Sequence, residues 1–175
     1  MAELLSGKDV ILFFRKRADH ATEDGAKLKF QSEHSVSKSK NNEATVTKDG
    51  TVNSISDGEN TLDLTSFAYT EDTVTVPMWK ALETWHDDNE LTEIWEVNIA
   101  SLKTGKYDVT YYQGYFTSFE MSYPGEGNVE LSMSYAINGK GVKGTDTLTA
   151  EQLASIESAA YEYQTIAAPA PAPVV

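Results

Sequence analysis

Between Val129 and Ile137 the chain alternates without exception. Val129, Leu131, Met133, Tyr135 and Ile137 are apolar, and Glu130, Ser132, Ser134 and Ala136 between them are small or polar. A period of two is the repeat of extended backbone, whose successive side chains point to opposite faces. The stretch is therefore a strand buried on one face, the pattern of an antiparallel sheet with one solvated side. Leu91, Glu93, Trp95, Val97 and Ile99 predict a second strand, ended by Lys103-Thr104-Gly105-Lys106. Tyr107 to Tyr123 predicts a third and longer one, with Gly114 a bulge because it interrupts a run of aromatics. Pro124-Gly125-Glu126-Gly127 turns the chain between them.

The rest of the chain reads in the same terms. Val10 to Phe14 is a short apolar run that stops at Arg15-Lys16-Arg17, a buried strand with its end in solvent. Lys27 to Glu33 reads as a weak second strand, and Leu62 and Leu64 alternate with Asp63 and Thr65 in another. From His34 to Lys48 the sequence is polar, and Ser35 to Asn42 reads as an exposed loop. Asp49-Gly50 predicts a hairpin turn between Thr45–Thr47 and Thr51–Val52, and Asn138-Gly139 a second hairpin. The period changes at Met78, Leu82 and Trp85, which lie on one face of a helix over about 77–87, with Thr75 as a cap and Pro77 in its first turn. Thr149 and Gln152 form a capping-box pattern that opens a helix over about 150–162. The fold class is mainly β, with two or more packed sheets or an open barrel and two helices. Residues 1–166 make one domain, and 167–175, rich in Ala and Pro, an extended tail.

Composition closes several functional classes. With 175 residues the chain has the length of one core, and no apolar run reaches the roughly 18 residues of a membrane-spanning helix. The first residues lack the basic start and apolar stretch of a signal peptide, so synthesis in a cytoplasm without export by that route is expected. There are no cysteines, which removes disulfides, thiolate zinc sites and cysteine nucleophiles. A net charge of −13 opposes stable nucleic-acid binding, which relies on Lys and Arg against phosphate. The charge is uneven: residues 1–50 carry a net +1 and residues 51–175 a net −14.

No residue set points to chemistry. His20, His34 and His86 lie in no triad or zinc spacing. Asp87-Asp88-Asn89-Glu90 lacks the alternating ligands and central glycine of a calcium loop. Gly139 to Gly144 matches G-x-G-x-x-G, yet helical sequence begins only at Thr149, so a phosphate would face no helix terminus. No metal, cofactor or enzymatic activity is expected. The aromatics Tyr107, Tyr111, Tyr112, Tyr115, Phe116, Phe119 and Tyr123 suit a core and a subunit interface better than a sugar platform. Ser118, Glu120 and Ser122, with Glu130, Ser132 and Ser134, offer a small, polar face without lysine. Such a face suits a surface past which a polyanion slides.

Three strings then take on a joint meaning. Gly7-Lys8-Asp9-Val10-Ile11-Leu12, Lys27-Leu28-Lys29-Phe30-Gln31-Ser32-Glu33-His34-Ser35 and Thr45 to Asn53, in that order and spacing, resemble the major tail proteins of long-tailed phages of lactic-acid bacteria and streptococci. Glu93 to Val97 and Tyr112-Gln113-Gly114-Tyr115 fit the same pattern, and the resemblance extends through Tyr163. It implies a tail-tube fold of two packed antiparallel sheets with a flanking helix, in hexameric rings stacked into a tube within the virion. The implied partners are copies of the chain, a tape-measure protein inside the tube, distal tail and terminator proteins, and DNA in non-specific passage; no membrane is implied. In that frame Ser118, Glu120, Ser122, Glu130, Ser132 and Ser134 are expected to face the lumen. His34, Lys38, Lys40, Asn41, Asn42, Glu43 and Lys48 are expected on a loop, 34–48, that contacts the adjacent ring. The competing reading is a carbohydrate- or receptor-binding β-sandwich module, predicted by the tyrosine cluster.

Overall fold

The computed structural model describes residues 2–70, 77–157 and 166. In chain order the elements are β1 (Val10–Lys16), β2 (Ala26–Lys27), β3 (Gln31–Ser37), β4 (Lys40–Thr47), β5 (Gly50–Asp57) and β6 (Asn60–Phe67). There follow α1 (Met78–Asp87), β7 (Thr92–Lys103), β8 (Lys106–Ser122), β9 (Glu130–Ile137), β10 (Val142–Asp146) and α2 (Ala150–Glu157). Eight strands form one antiparallel sheet in the order β2-β1-β7-β8-β9-β6-β3, with β10 also on β8, and β4 and β5 form a separate two-stranded sheet.

The long strand organises everything else. β8 has 17 residues, a reach of roughly 56 Å, too long to serve a single layer. Its first part pairs with β7 on one side and β10 on the other. At Gly114 the partners are both Thr92 and Ile137; beyond it β8 leaves β7 and runs with β9 alone. The sheet thereby divides into an outer half (β2-β1-β7-β8-β10) and a four-strand half (β8-β9-β6-β3) that share β8 and fold face to face. Leu12, Phe14, Ile94 and Tyr112 of the outer half meet Leu62, Leu64, Leu131, Met133 and Tyr135 of the other in one buried cluster. The expected two packed antiparallel layers are these halves.

Gly114 is required for closeness, not for a bulge. A Cβ there would lie 1.9 Å from the Ala136 carbonyl oxygen. The β8 bulge falls instead between Phe116 and Ser118, next to the place where the strand changes layer. Other expectations are corrected too. The weak strand at 27–33 is split: buried Leu28 drops into the core and Phe30 takes a left-handed φ of 59° between β2 and β3. Asn138-Gly139 closes no hairpin, because β9 and β10 lie end to end on the same side of β8. The link crosses over Tyr112, whose ring would sit 2.5 Å from a Cβ at Gly141.

The two helices occupy opposite sides. α1 begins at Met78 with Pro77 at its cap position, and buries Leu82 while Met78, Trp79 and Trp85 pack against the main cluster. The predicted cap Thr75 lies outside the described residues. α2 opens with the expected reciprocal cap: the Gln152 N–H donates to Thr149 Oγ1 at 3.2 Å and the Thr149 N–H to Gln152 Oε1 at 2.9 Å. Its Ile156, with Leu148, covers a second cluster of Phe13, Val97 and Val109 on the outer face of the outer half. Residues 158–162 of the predicted helix and the tail 167–175 lie outside the described residues.

One bond ties the halves through the core. The buried Tyr135 hydroxyl donates to the Thr92 carbonyl at 2.6 Å. Burial, then the neighbouring Tyr111 and Glu93, push its phenol well above its ordinary range. The folded state thus holds this proton more tightly than the unfolded chain does. The resulting stability is complete below a pH of about 10 and is lost as pH rises beyond it. Tyr135→Phe is expected to cost about 1–1.5 kcal/mol near neutrality and to flatten the alkaline fall. Urea midpoints measured from about pH 8 to about pH 11 check both.

Candidate functional site

The outward surface of the four-strand half is assembled row by row. Ser118 lies opposite Ser134, Ser134 opposite Asp63, and Asp63 opposite Ser35. The next row runs Glu120, Ser132, Thr65, Glu33, and the third Ser122, Glu130, Phe67. All six face residues singled out in the sequence thus share one surface, opposite the buried Leu131, Met133, Tyr135 and Ile137. Ser134 Oγ donates to Asp63 Oδ1 at 2.6 Å, a bond between neighbouring strands within the first row. The face carries the carboxylates Glu33, Asp63, Glu120 and Glu130 and no lysine or arginine. Phe67 and Tyr115 are its large apolar members, one at each end.

Glu33, Ser35, Asp63 and Thr65 join this face beyond the six residues expected from the sequence. The alternation of Leu62 and Leu64 with Asp63 and Thr65 carried the signal for two of them. That β6 and β3 continue the surface of β9 is decided only by long-range pairing, Phe67 with Glu130 between β6 and β9 and Ser37 with Thr61 between β3 and β6.

Both borders of this half are unpaired. β3 is bonded to β6 on one side only, and residues 115–122 of β8 to β9 only, among the described residues. Each border strand carries one bulged residue. Ser32 has no partner in β6 and its Oγ lies 2.8 Å from Thr65 Oγ1; Thr117 has none in β9 and its Oγ1 donates to the Ser134 carbonyl at 3.3 Å.

The polar stretch predicted as a loop over 34–48 is mostly strand. His34 belongs to β3, inside the sandwich, with Nε2 2.9 Å from Glu96 Oε2 on β7. Lys40, Asn41, Asn42 and Glu43 lie on β4, Lys38 at the base of the β4–β5 hairpin and Lys48 at its turn. Alternating polar and β-branched residues with Asp49-Gly50 at the tip favour this hairpin over a loop. Lys40 makes a pair within the hairpin: its ammonium donates to Asp57, whose carboxyl is held below its usual range by that bond. Every residue of both strands is exposed, including Val46 at 83%, Val52 at 57% and Ile55 at 61%. A two-stranded ribbon is marginal alone in water, and no residue of this one is buried against the rest of the described residues. The Gly139–Gly144 motif is a turn running into β10, with no helix beginning in it, and offers no phosphate cradle.

Comparisons with known proteins converge on one architecture. The chain is 26% identical over 167 residues to a putative tail protein of Staphylococcus phage phiMR25, covering 93% of this chain and 83% of that one. Its fold is similar to a subunit of the SPP1 tail tube, with a TM-score of 0.68 and 20% identity, covering 92% of this chain and 91% of that one. It is also similar to a subunit from the tail of an empty gene transfer agent particle of C6 symmetry, with a TM-score of 0.55 and 10% identity over 82% and 98% of the two chains. The model of the family described as phage tail tube protein matches residues 4–143. The chain therefore belongs to the phage tail tube protein family: it is a structural subunit of the tube in a phage virion, not an enzyme.

Proposed function

We propose that six copies close head to tail into a ring through the two free borders of the four-strand half, and that rings stack into a conduit for DNA. The observation that carries this is the pair of unpaired borders on one polar-faced sheet. Unpaired strand edges invite pairing, and a closed ring removes all of them at once. Strand directions alternate β8, β9, β6, β3, so the β3 of one copy meets the β8 of the next antiparallel, as at every internal step. Six-fold closure is taken from the C6 symmetry of the gene transfer agent tail. Four strands from each of six copies, at about 4.8 Å apiece, give a barrel roughly 37 Å between opposite backbones before strand tilt widens it. That leaves room for a duplex and, before ejection, for a tape-measure protein.

In this arrangement Ser118, Glu120, Ser122, Glu130, Ser132 and Ser134, joined by Asp63 and Thr65, line the lumen. Hydroxyls keep water at the wall, carboxylates repel phosphate, and no cation is present to hold it. The exposed hairpin makes the axial contact with the adjacent ring. Identical stacked contacts do not close, so length is set by the tape-measure protein and ends by distal and terminator proteins. A long, non-contractile tail of the kind found in phages of lactic-acid bacteria and streptococci is the setting.

Electron microscopy of the concentrated chain tests the assembly: hollow tubes with a regular axial repeat are expected, and glycan-binding monomers would overturn it. The lumen has its own test. Glu120→Lys combined with Glu130→Lys is expected to leave tubes normal and slow DNA ejection by about tenfold or more at low salt, with recovery as salt rises. Unchanged ejection would remove these residues from the lumen.

A further inference from the structure

We infer that the ring seam has a single register, in which Glu33 of one copy lies opposite Ser122 of the next, Ser35 opposite Glu120, and Ser37 opposite Ser118. It rests on the ring reading above and adds which atoms meet. Two geometric facts make such a seam feasible. The first is direction: β3 and β8 are antiparallel across the border. The second is bonding sense. In an antiparallel ladder, opposed residues either exchange both bonds or none, and a strand's two sides alternate. The row Glu33–Thr65–Ser132–Glu120 has three internal pairs, so its first and last pairs share one sense. Glu33 and Glu120 are therefore turned alike toward their free borders, and polar-face residues match polar-face residues across the seam.

The bulges select among the matching registers. Regular pairing in β3 begins after Ser32 and runs from Glu33 to Ser37; in the free part of β8 it begins after Thr117 and runs from Ser118 to Ser122. These stretches are equal in length, and the inferred register lays one fully against the other with a bulge just beyond each end. It places Val36 opposite Phe119 and His34 opposite Met121 on the inner face. All four are only half-buried in the free chain, and an aliphatic against an aromatic is a favourable cross-strand pair.

A shift of two residues in either direction fails. One shift sets Glu33 against Glu120, two carboxylates directly opposed, and drives Val36 onto the bulged Thr117. The other carries Glu33 past the end of β8 at Ser122 and leaves Ser118 beyond the end of β3 at Ser37. Odd shifts turn Val36 or Phe119 into the polar face.

The chain has no cysteine, so disulfide trapping is clean. Within one copy Ser35 and Glu120 stand three strand spacings apart, roughly 14 Å, beyond the reach of a disulfide. Oxidising tubes of the full chain carrying Ser35→Cys and Glu120→Cys is expected to give a non-reducing ladder that ends at the ring number. The pairs Glu33→Cys with Glu120→Cys, and Ser37→Cys with Glu120→Cys, report the two shifted registers and are expected to stay unlinked. Linking by either shifted pair, or by none in preparations where microscopy shows tubes, overturns the register and leaves the ring standing. Failure of the unmodified chain to form tubes removes both.

Discussion

Replacing Lys40–Asp57 with a two-residue Asn-Gly turn is expected to leave a chain that folds normally and forms no tubes. The excision is local because its ends already touch: the Gly58 N–H donates to the Ser39 carbonyl at 3.1 Å. Every residue removed is exposed, so the buried clusters lose nothing, and the melting temperature should move by no more than about 3 °C. Assembly should fail outright, because the ribbon proposed to reach toward the next ring is gone while the proposed ring borders on β3 and β8 are intact. Thermal melts paired with electron microscopy decide the matter. Isolated rings or monomers are the expected product; tubes of normal length would show that stacking does not use the hairpin.

The second large effect concerns stability. Glu93 is 1% exposed and its carboxylate accepts bonds from Arg15 Nε and Nη2, each at 3.2 Å, from Arg17 Nη1 at 3.5 Å, and from the Tyr111 hydroxyl. Arg15 is itself pinned, 4.8 Å above the Trp95 ring and bonded to the Glu23 carbonyl at 3.0 Å. Glu93→Ala would leave a largely buried guanidinium without its counter-charge, because the stacked side chain has little freedom to reach water. The loss should be about 3–5 kcal/mol, or roughly 10–15 °C in melting temperature for a domain of this size. Glu93→Gln, which preserves the shape but keeps only one of the two acceptor oxygens and loses the charge, should fall between. A loss of under about 1 kcal/mol for the alanine variant would mean that Arg15 finds another partner.

These cases show where sequence reading reaches and where it stops. Glu93 stands in an alternating strand pattern and reads locally as an ordinary face residue. Only the pairing of β1 with β7, which sets Arg15 opposite it, makes it a buried anion. Gly114 stands out in the sequence for interrupting aromatics, yet its cause, the Ala136 carbonyl, arrives from another strand. In the sequence His34 shares one polar stretch with Lys38 and Lys40. In the fold it bridges two layers to Glu96, while the others project into solvent.

By itself, then, the sequence determined the β-rich class, the two helices, the reciprocal cap at Thr149, and the sidedness of the 129–137 strand. Each is a local property, set by side-chain period or by groups a few residues apart. It also determined that Ser118, Glu120, Ser122, Glu130, Ser132 and Ser134 are polar positions on strands. Tertiary structure alone decided that β9 lies between β8 and β6, that β3 closes the far side, and that β8 outruns β7 at Gly114 to leave a bare edge. Strand partners are chosen by long-range burial of the opposite faces, which no local period records, and those choices gather the polar residues into one surface with two free borders.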